Sequence, residues 1–332
     1  MDTVEGANQG DDKLLSMLNP LKFLSTLFTA QREIACVLCG GRARRVALQA
    51  SPPQLRDAVD KVKPNLSPVF CQPCQQSLPF LKASGCPQCA VEDTAGNLCG
   101  VCLAHPPKFD VTIAAFRYQF PLDRLVQDYK FNGNFALVEL FATALVERIL
   151  EHGFVPDVIV PVPLSRQRIA KRGFNQAALL ANAVAGKLNA KLRANGNANA
   201  NGNANENENG SGSGNGNGNG NATASSATRV EKNWLEKLRD TPAQSGLALE
   251  ARRRNIADAF ILTASGAAAI AKQSNLKIAL LDDVITTGAT LSEAASLLKR
   301  AGAARVTTLV VARVPPPRAK TQMQLAKKSL VG

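Results

Sequence analysis

The sequence predicts an α/β fold built on a parallel sheet, with a small cysteine-rich module in front of it. Residues 278–301 form a continuous apolar run followed by a helical pattern, and residues 305–314 are a β-branched run, so the segment is typical of a βαβ unit. A further strand is predicted over residues 157–163, with the sequence DVIVPVP. All eight cysteines lie between residues 36 and 102, ahead of these elements.

Two acids and a hydroxyl-rich turn follow the predicted strand at residues 278–281. Asp282 and Asp283 stand at its carboxyl end, where open α/β sheets bind their ligands. The turn comprises Thr286, Thr287, Gly288, Ala289 and Thr290. Carboxylates beside a cradle of backbone N–H groups suit a ligand with a sugar diol on one side and a phosphate on the other. An ordinary helix cap is the alternative, but a cap requires only one such residue.

This run resembles the phosphoribosyl diphosphate (PRPP) signature of type I phosphoribosyltransferases. The resemblance implies a Rossmann-like parallel-sheet core in which Asp282 and Asp283 bind the ribose hydroxyls. It also implies that the 5′-phosphate is held by Thr286, Thr287, Gly288, Ala289 and Thr290.

Four further segments narrow the resemblance. VPVPLS begins at Val160, RGFNQ spans residues 172–176, TPAQSGL spans 241–247 and RRRN spans 252–255. In this order, and behind a cysteine-rich N-terminus, they resemble the ComF family of competence-associated, phosphoribosyltransferase-like proteins. The family implies a loop that receives diphosphate, and its residues here are Pro163, Leu164, Ser165, Arg166 and Arg172. It also implies a Mg²⁺ ion bound together with PRPP.

The resemblance implies transfer of the phosphoribosyl group of PRPP to a small-molecule acceptor, with release of diphosphate. Two other functions stay open, namely a PRPP or nucleotide sensor without turnover, and a nucleic-acid-handling factor in DNA uptake that binds single-stranded DNA or the uptake machinery. The net charge of +13 favours polyanionic partners of any kind, so it does not choose among the three. Aromatic residues make up only 5% of the chain, which argues against a base-stacking platform.

The cysteines form four C-x-x-C pairs, and such pairs let two thiolates bind one tetrahedral metal ion. A disulfide framework suits small secreted proteins, and a redox motif needs only one pair, so we expect two structural zinc ions. The simplest scheme joins neighbouring pairs, and a cross-braced scheme stays open. The expected ligands are Cys36, Cys39, Cys71 and Cys74 for one ion, and Cys86, Cys89, Cys99 and Cys102 for the other. Four thiolates leave no open position for catalysis.

The expected organisation is a tail with a short apolar helix (1–30), a zinc-ribbon module (31–106), a phosphoribosyltransferase-like domain (107–316) and a basic tail (317–332). An almost purely Asn, Gly, Ala and Ser segment at 195–226 predicts a disordered insert in that domain. The apolar run at 14–30 is too short and interrupted for a confident membrane span, and acids precede it where a signal peptide carries basic residues. We therefore expect a cytoplasmic protein, with peripheral membrane contact as a second interpretation. The sequence leaves the oligomeric state open.

Overall fold

The structure is a computed structural model that describes residues 34–43, 70–82, 84–202, 227–240, 256, 258–273 and 275–316; for residues 34, 42–43 and 195–202 it describes the backbone alone. The described residues form a five-stranded parallel sheet in the order β3-β9-β8-β4-β5. The strands are β3 (Val111–Arg117), β4 (Val158–Pro161), β5 (Arg229–Val230), β8 (Lys277–Ile285) and β9 (Arg305–Arg313). This confirms the predicted α/β fold.

Helices cover both faces of the sheet, which is why its central strands are mainly apolar. One face packs against α3 (Leu122–Phe131), α4 (Ala136–Glu151) and α6 (Gln176–Gly202), and the other face packs against α8 (Ala289–Arg300). Helix α5 (Arg166–Arg172) follows β4 and exposes most of its surface. Strands β4 and β9 lie within a few residues of the predicted runs at 157–163 and 305–314.

A small antiparallel hairpin lies beside the main sheet. It pairs β6 (Leu235–Lys237) with β7 (Phe260–Leu262), and α7 (Ala264–Ala271) follows β7. Trp234 and Phe260 of this hairpin are buried in the same apolar cluster as α8. Residues 241–255, which contain the TPAQSGL and RRRN segments, connect the two strands of the hairpin and lie outside the described residues.

The cysteine pairs lie on short elements that pack directly onto the α/β domain. Strands β1 (Ile34–Ala35) and β2 (Arg42–Ala43) flank the first pair, whereas α1 (Gln72–Gln76) and α2 (Gly100–Ala104) carry the second pair of each half. Phe80 forms a β-bridge to Phe116 of β3, and the two rings lie 4.8 Å apart. Since Cys36 is buried in the same cluster as α3 and α4, the first half of the cysteine-rich part shares the core of the domain.

Several expectations concern residues that the structure does not describe. The apolar run at 14–30 and the basic tail at 317–332 are among them. Helix α6 continues to Gly202, into the segment for which an insert is predicted, and residues 203–226 lie outside the described residues. A helix that is already formed adds residues at low cost, so its end is poorly marked by composition. Within the described residues, no helix is long and apolar enough to cross a membrane.

Candidate functional site

The predicted site residues come together at the carboxyl edge of the sheet, where β4 and β8 lie side by side. We call residues 161–166 the proline loop and residues 286–290 the hydroxyl turn. Pro161 is the last residue of β4 and pairs with Leu281, and Val162 N–H donates to the Leu281 carbonyl at 2.8 Å. Pro163 cannot extend the ladder, because proline lacks an N–H donor. From Asp282 onward, β8 therefore pairs with β9 alone among the described strands.

The expected position of the two acids needs a correction. The sequence suggested that the strand ends at Leu281, but β8 continues to Ile285. The reason is that β9 keeps pairing with it, from Asp282 opposite Val310 to Ile285 opposite Arg313. Because side chains alternate along a strand, the two acids project to opposite faces of the sheet.

Asp283 faces the protein interior, where basic and amide groups hold it. It is 4% exposed, and one carboxylate oxygen lies 2.7 Å from Lys130 Nζ while the other accepts a hydrogen bond from Gln176 Nε2 at 2.8 Å. Burial alone would lower the pKa of Lys130, but the charge of Asp283 raises it, so the lysine stays charged. Both Asp283 oxygens are thus already used inside the protein.

Asp282 is the acid available to a ligand. Its carboxylate accepts a hydrogen bond from the Asp283 backbone N–H at 2.8 Å, and its side chain is half-buried. Burial and the neighbouring charge of Asp283 raise the pKa of Asp282 to about 7, although Lys130 and Lys237 oppose the shift. This carboxyl therefore titrates near neutral pH, which is typical of functional sites.

The RGFNQ segment connects the acids to the proline loop. Arg172 donates to Gln176 Oε1 at 2.5 Å, which orients the amide so that its Nε2 points at Asp283. Asn175 donates to the Val162 carbonyl at 3.2 Å and accepts from the first backbone N–H groups of α6. The segment thus fixes the proline loop and Asp283 at once, and Arg172 lies near both.

The hydroxyl turn contains one residue in the left-handed conformation, Gly288, immediately before α8 begins. Gly288 has φ +77°, and a Cβ there would lie 3.4 Å from the Phe109 ring, so glycine is suited to this position in both conformation and space. Because Gly288 has no side chain, it cannot cap α8. The Ala289 N–H makes only a long contact of 3.4 Å with Thr287 Oγ1. Thr286 is exposed, and Thr287 and Thr290 are partly exposed. The first backbone N–H groups of α8, a 12-residue helix, can therefore bind an anion.

The proline loop is less open than the sequence suggested. Ser165 caps α5 by accepting from Arg168 N–H at 3.2 Å, and its hydroxyl donates to Asp240. Arg168 also pairs with Asp240 at 3.4 Å, whereas Arg166 is exposed. A cavity of about 380 Å³ adjoins the loop, with Lys237 of β6 and Arg166 in its wall. Pro163 and Leu164 are partly exposed at the carboxyl edge.

The eight cysteines form two clusters, and the structure groups them as neighbours and not as a cross-brace. The first cluster is Cys36, Cys39, Cys71 and Cys74, and the second cluster is Cys86, Cys89, Cys99 and Cys102. Within each cluster all four sulfur atoms lie within 4.8 Å of one another. Sulfur atoms are 3.7 Å apart for Cys39 and Cys71 and 3.6 Å apart for Cys89 and Cys99. A tetrahedral zinc ion with Zn–S bonds of about 2.3 Å sets its sulfurs about 3.8 Å apart, so both clusters fit zinc.

The two cysteine clusters share the same local backbone arrangement. In each, one pair lies on a turn closed by a left-handed residue, Gly40 at φ +70° or Ala90 at φ +57°, and the other begins a short helix. Despite burial, which acts in the opposite direction, N–H groups lower the pKa of Cys36 to about 6 and that of Cys86 to about 7. Burial and neighbouring thiolates raise the pKa of Cys74 and of Cys102, so four thiolates together need a cation.

Three residues with strong contacts in or near the site were not singled out from the sequence. They are Lys130, which pairs with Asp283, Asp240, which contacts the proline loop, and Arg313, which contacts the hydroxyl turn. No pattern in the sequence around Lys130 marks it as the partner of Asp283. The partners of the other two depend on packing between distant segments.

Comparison with known proteins agrees with this arrangement. A phosphoribosyl transferase domain family model matches residues 235–328, which include both acids and the hydroxyl turn. The DNA utilization protein YhgH of Salmonella typhimurium is 29% identical over 243 residues, which cover 71% of this chain and 87% of the relative. Competence protein F of Haemophilus influenzae is 29% identical over 255 residues, covering 74% of this chain and 90% of that relative.

These relatives confirm the resemblance to the ComF family. A third relative, competence protein ComFC of Streptococcus pneumoniae, is 24% identical over 286 residues, which cover 84% of this chain and 99% of its own length. The family assignment agrees with the two four-cysteine clusters ahead of the phosphoribosyltransferase-type domain. The carboxyl edge of the sheet, which lies within the matched domain, is the candidate functional site.

Proposed function

We propose that the protein binds PRPP and transfers its phosphoribosyl group to an acceptor of unknown identity, releasing diphosphate. The observation that carries the proposal is the open side of β8 beyond Leu281. There Asp282 of β8, the hydroxyl turn after β8 and the proline loop after β4 lie at the same carboxyl edge of two neighbouring strands. A carboxylate, an uncapped helix start and basic side chains correspond in kind to the ribose, the 5′-phosphate and the diphosphate of PRPP.

Each part of the ligand has its own set of residues in this proposal. Asp282 accepts hydrogen bonds from the ribose hydroxyls, and Asp283, which Lys130 and Gln176 hold, contributes charge and position. The 5′-phosphate is bound by Thr286, Thr287, Gly288, Ala289 and Thr290. The diphosphate is received by Pro163, Leu164, Ser165, Arg166 and Arg172. Ser165 can take part only after its hydroxyl leaves Asp240.

The proposed reaction breaks the bond between the anomeric carbon and the diphosphate oxygen and forms a bond from that carbon to the acceptor. Positive charge develops on the ribose, so catalysis relies on positioning and on neutralising the leaving group. A Mg²⁺ ion prefers oxygen ligands and, when bound, would offset the diphosphate charge, and Asp282 is the carboxylate suited to it. We assign no general base, and the acceptor supplies its own nucleophile.

Calorimetric titration of the protein with PRPP in the presence of Mg²⁺ tests the proposal. We expect saturable binding, with weaker binding of ribose 5-phosphate, because that compound lacks the diphosphate. A panel of free bases, amines and nucleotides is then added, and diphosphate is measured. Release that depends on one acceptor supports transfer, and PRPP binding without release supports a sensor. Absence of PRPP binding would contradict both.

We also propose that each cysteine cluster holds one structural zinc ion. The support is the sulfur spacing and the need for a cation beside four thiolates. Metal analysis of the purified protein should then give two zinc ions per chain.

A second candidate function is the handling of single-stranded DNA. It is favoured by the names of the relatives, which refer to DNA utilization and competence, and by the net charge of +13. If Arg42, Arg44 and Arg45 contact phosphates, changing all three to glutamine should lower the slope of log affinity against log salt by about 2. Changing three basic residues of α6 instead, Lys187, Lys191 and Arg193, serves as a control for total charge. An equal effect of both sets would rule out a specific contact.

A further inference from the structure

Arg313, the last residue of β9, joins the hydroxyl turn to the second cluster. Its side chain is 9% exposed. On one side, Nη1 donates to the carbonyls of Ile285, at 3.3 Å, and of Thr286. On the other side, Nε donates to the Cys89 carbonyl at 2.8 Å, and Nη2 lies 4.0 Å from Cys89 Sγ. One guanidinium therefore spans the residues just before the turn and a metal-binding knuckle.

The charge of Arg313 has a natural counterpart in the second cluster. Among the described residues, no carboxylate forms an ion pair with Arg313, so carbonyl dipoles and sulfur are its partners there. A buried cation is costly unless negative charge lies nearby. Four thiolates around one divalent zinc ion carry a net negative charge, and Cys89 presents that charge directly to the guanidinium. A metal-loaded second cluster thus stabilises Arg313 in its bridging position.

The second cluster is attached to the same region by other contacts as well. Lys108, which follows it in the chain, donates its N–H to Ser292 Oγ of α8 at 3.0 Å. Thr112 of β3 donates its hydroxyl to the Gln88 carbonyl at 2.7 Å, inside the knuckle. The first cluster packs differently, since Cys36 and the adjoining Phe70 lie in the core beneath α3 and α4.

We propose that Arg313 is a positioning residue that clamps the hydroxyl turn to the second cluster, so that the affinity of the turn for a phosphate group depends on metal in the second cluster and not in the first. This inference rests on the proposed function for its ligand. It assigns different roles to two clusters that look alike in sequence. The first supports the core, and the second supports the site.

Cys99→Ser and Cys71→Ser form a matched pair to test the inference. Each cysteine is half-buried and immediately precedes a short helix, and neither contacts Arg313 in the described residues. Each variant should keep one zinc ion instead of two. We expect Cys99→Ser to weaken PRPP binding by about tenfold, because the turn is no longer held in position, and Cys71→Ser to leave it within about twofold of the parent.

Hydrogen exchange of the backbone amides in residues 286–290 gives a readout that needs no ligand. Exchange there should accelerate in Cys99→Ser and in Arg313→Lys, but not in Cys71→Ser. Arg313→Lys should retain both zinc ions and still weaken PRPP binding, because an ammonium group cannot reproduce the planar fork. Equal exchange in the two cysteine variants, or unchanged exchange in Arg313→Lys, would overturn the clamp. If exchange responds as expected while the parent protein fails to bind PRPP, the clamp stands and the proposed function falls.

Discussion

Replacing Asp282 with asparagine is expected to abolish PRPP binding and to make the protein more stable above pH 7. Asparagine keeps the shape of the side chain but cannot carry the charge that a ribose and a cation require. We expect the affinity to fall by about a hundredfold or more, as is common when a buried charged partner is lost. In the parent protein, binding should strengthen as the pH rises through about 7, because Asp282 must ionise.

The gain in stability follows from the direction of the pKa shift. Asp282 has a pKa near 7 in the folded protein, whereas an unfolded aspartate has a pKa of about 3.9. Between these values the unfolded chain holds fewer protons, so stability falls as the pH rises through that window. Asp282→Asn has no carboxyl that titrates in this window. Its stability should therefore equal that of the parent near pH 4 and exceed it most above pH 7.

Urea unfolding at pH 5 and pH 8, combined with PRPP titration, measures both effects. Asp258→Asn is the control, since Asp258 is exposed and has a positive φ that asparagine tolerates. It should change neither stability nor binding appreciably. If Asp282→Asn binds PRPP as the parent does, the ribose assignment is wrong.

Replacing Lys130 with methionine is expected to cost about 2–4 kcal/mol of stability at neutral pH, because it leaves the buried Asp283 without its cation. The Lys130 side chain is 22% exposed and that of Asp283 is 5% exposed, so water can compensate only in part. The same change should also weaken PRPP binding, since Asp283 would then repel the diphosphate with less opposing charge.

A double variant separates the lost charge from the lost packing. Lys130→Met combined with Asp283→Asn removes both charges and should recover most of the stability, although PRPP binding stays weak. Lys187→Met is the control, because Lys187 forms a more exposed ion pair with Glu139, and such pairs contribute about 0–1 kcal/mol. Equal losses of stability in Lys130→Met and Lys187→Met would mean that the buried ion pair contributes no more than the exposed one.

The sequence was sufficient for the features that depend on local pattern. Strand β8, helix α8 and strand β9 follow from apolar periodicity, and the two clusters follow from C-x-x-C spacing in its simplest pairing. The hydroxyl turn could be recognised because Gly288 and its threonines are contiguous. These signals lie within a few residues of one another and need no knowledge of the rest of the chain.

What could not be predicted depends on contacts between distant segments. Lys130 lies about 150 residues before Asp283, and nothing at either position marks the other as its partner. The true end of β8 depends on how far β9 continues beside it. The inward direction of Asp283 depends in turn on which face of the sheet α3 and α6 cover.

The position of β5 explains how the chain accommodates a long asparagine- and glycine-rich stretch. Thr228, just before β5, donates its hydroxyl to the Pro156 carbonyl and its N–H to Asn189 of α6, at the amino edge of the parallel sheet. Helix α6 begins at the opposite edge with Gln176 and has risen about 20 Å by Asn189. The chain therefore enters and leaves this stretch on the side of the domain opposite the carboxyl edge of the sheet. We therefore expect insertions here to leave the candidate site unchanged, and a fluorescent protein could be inserted at this point.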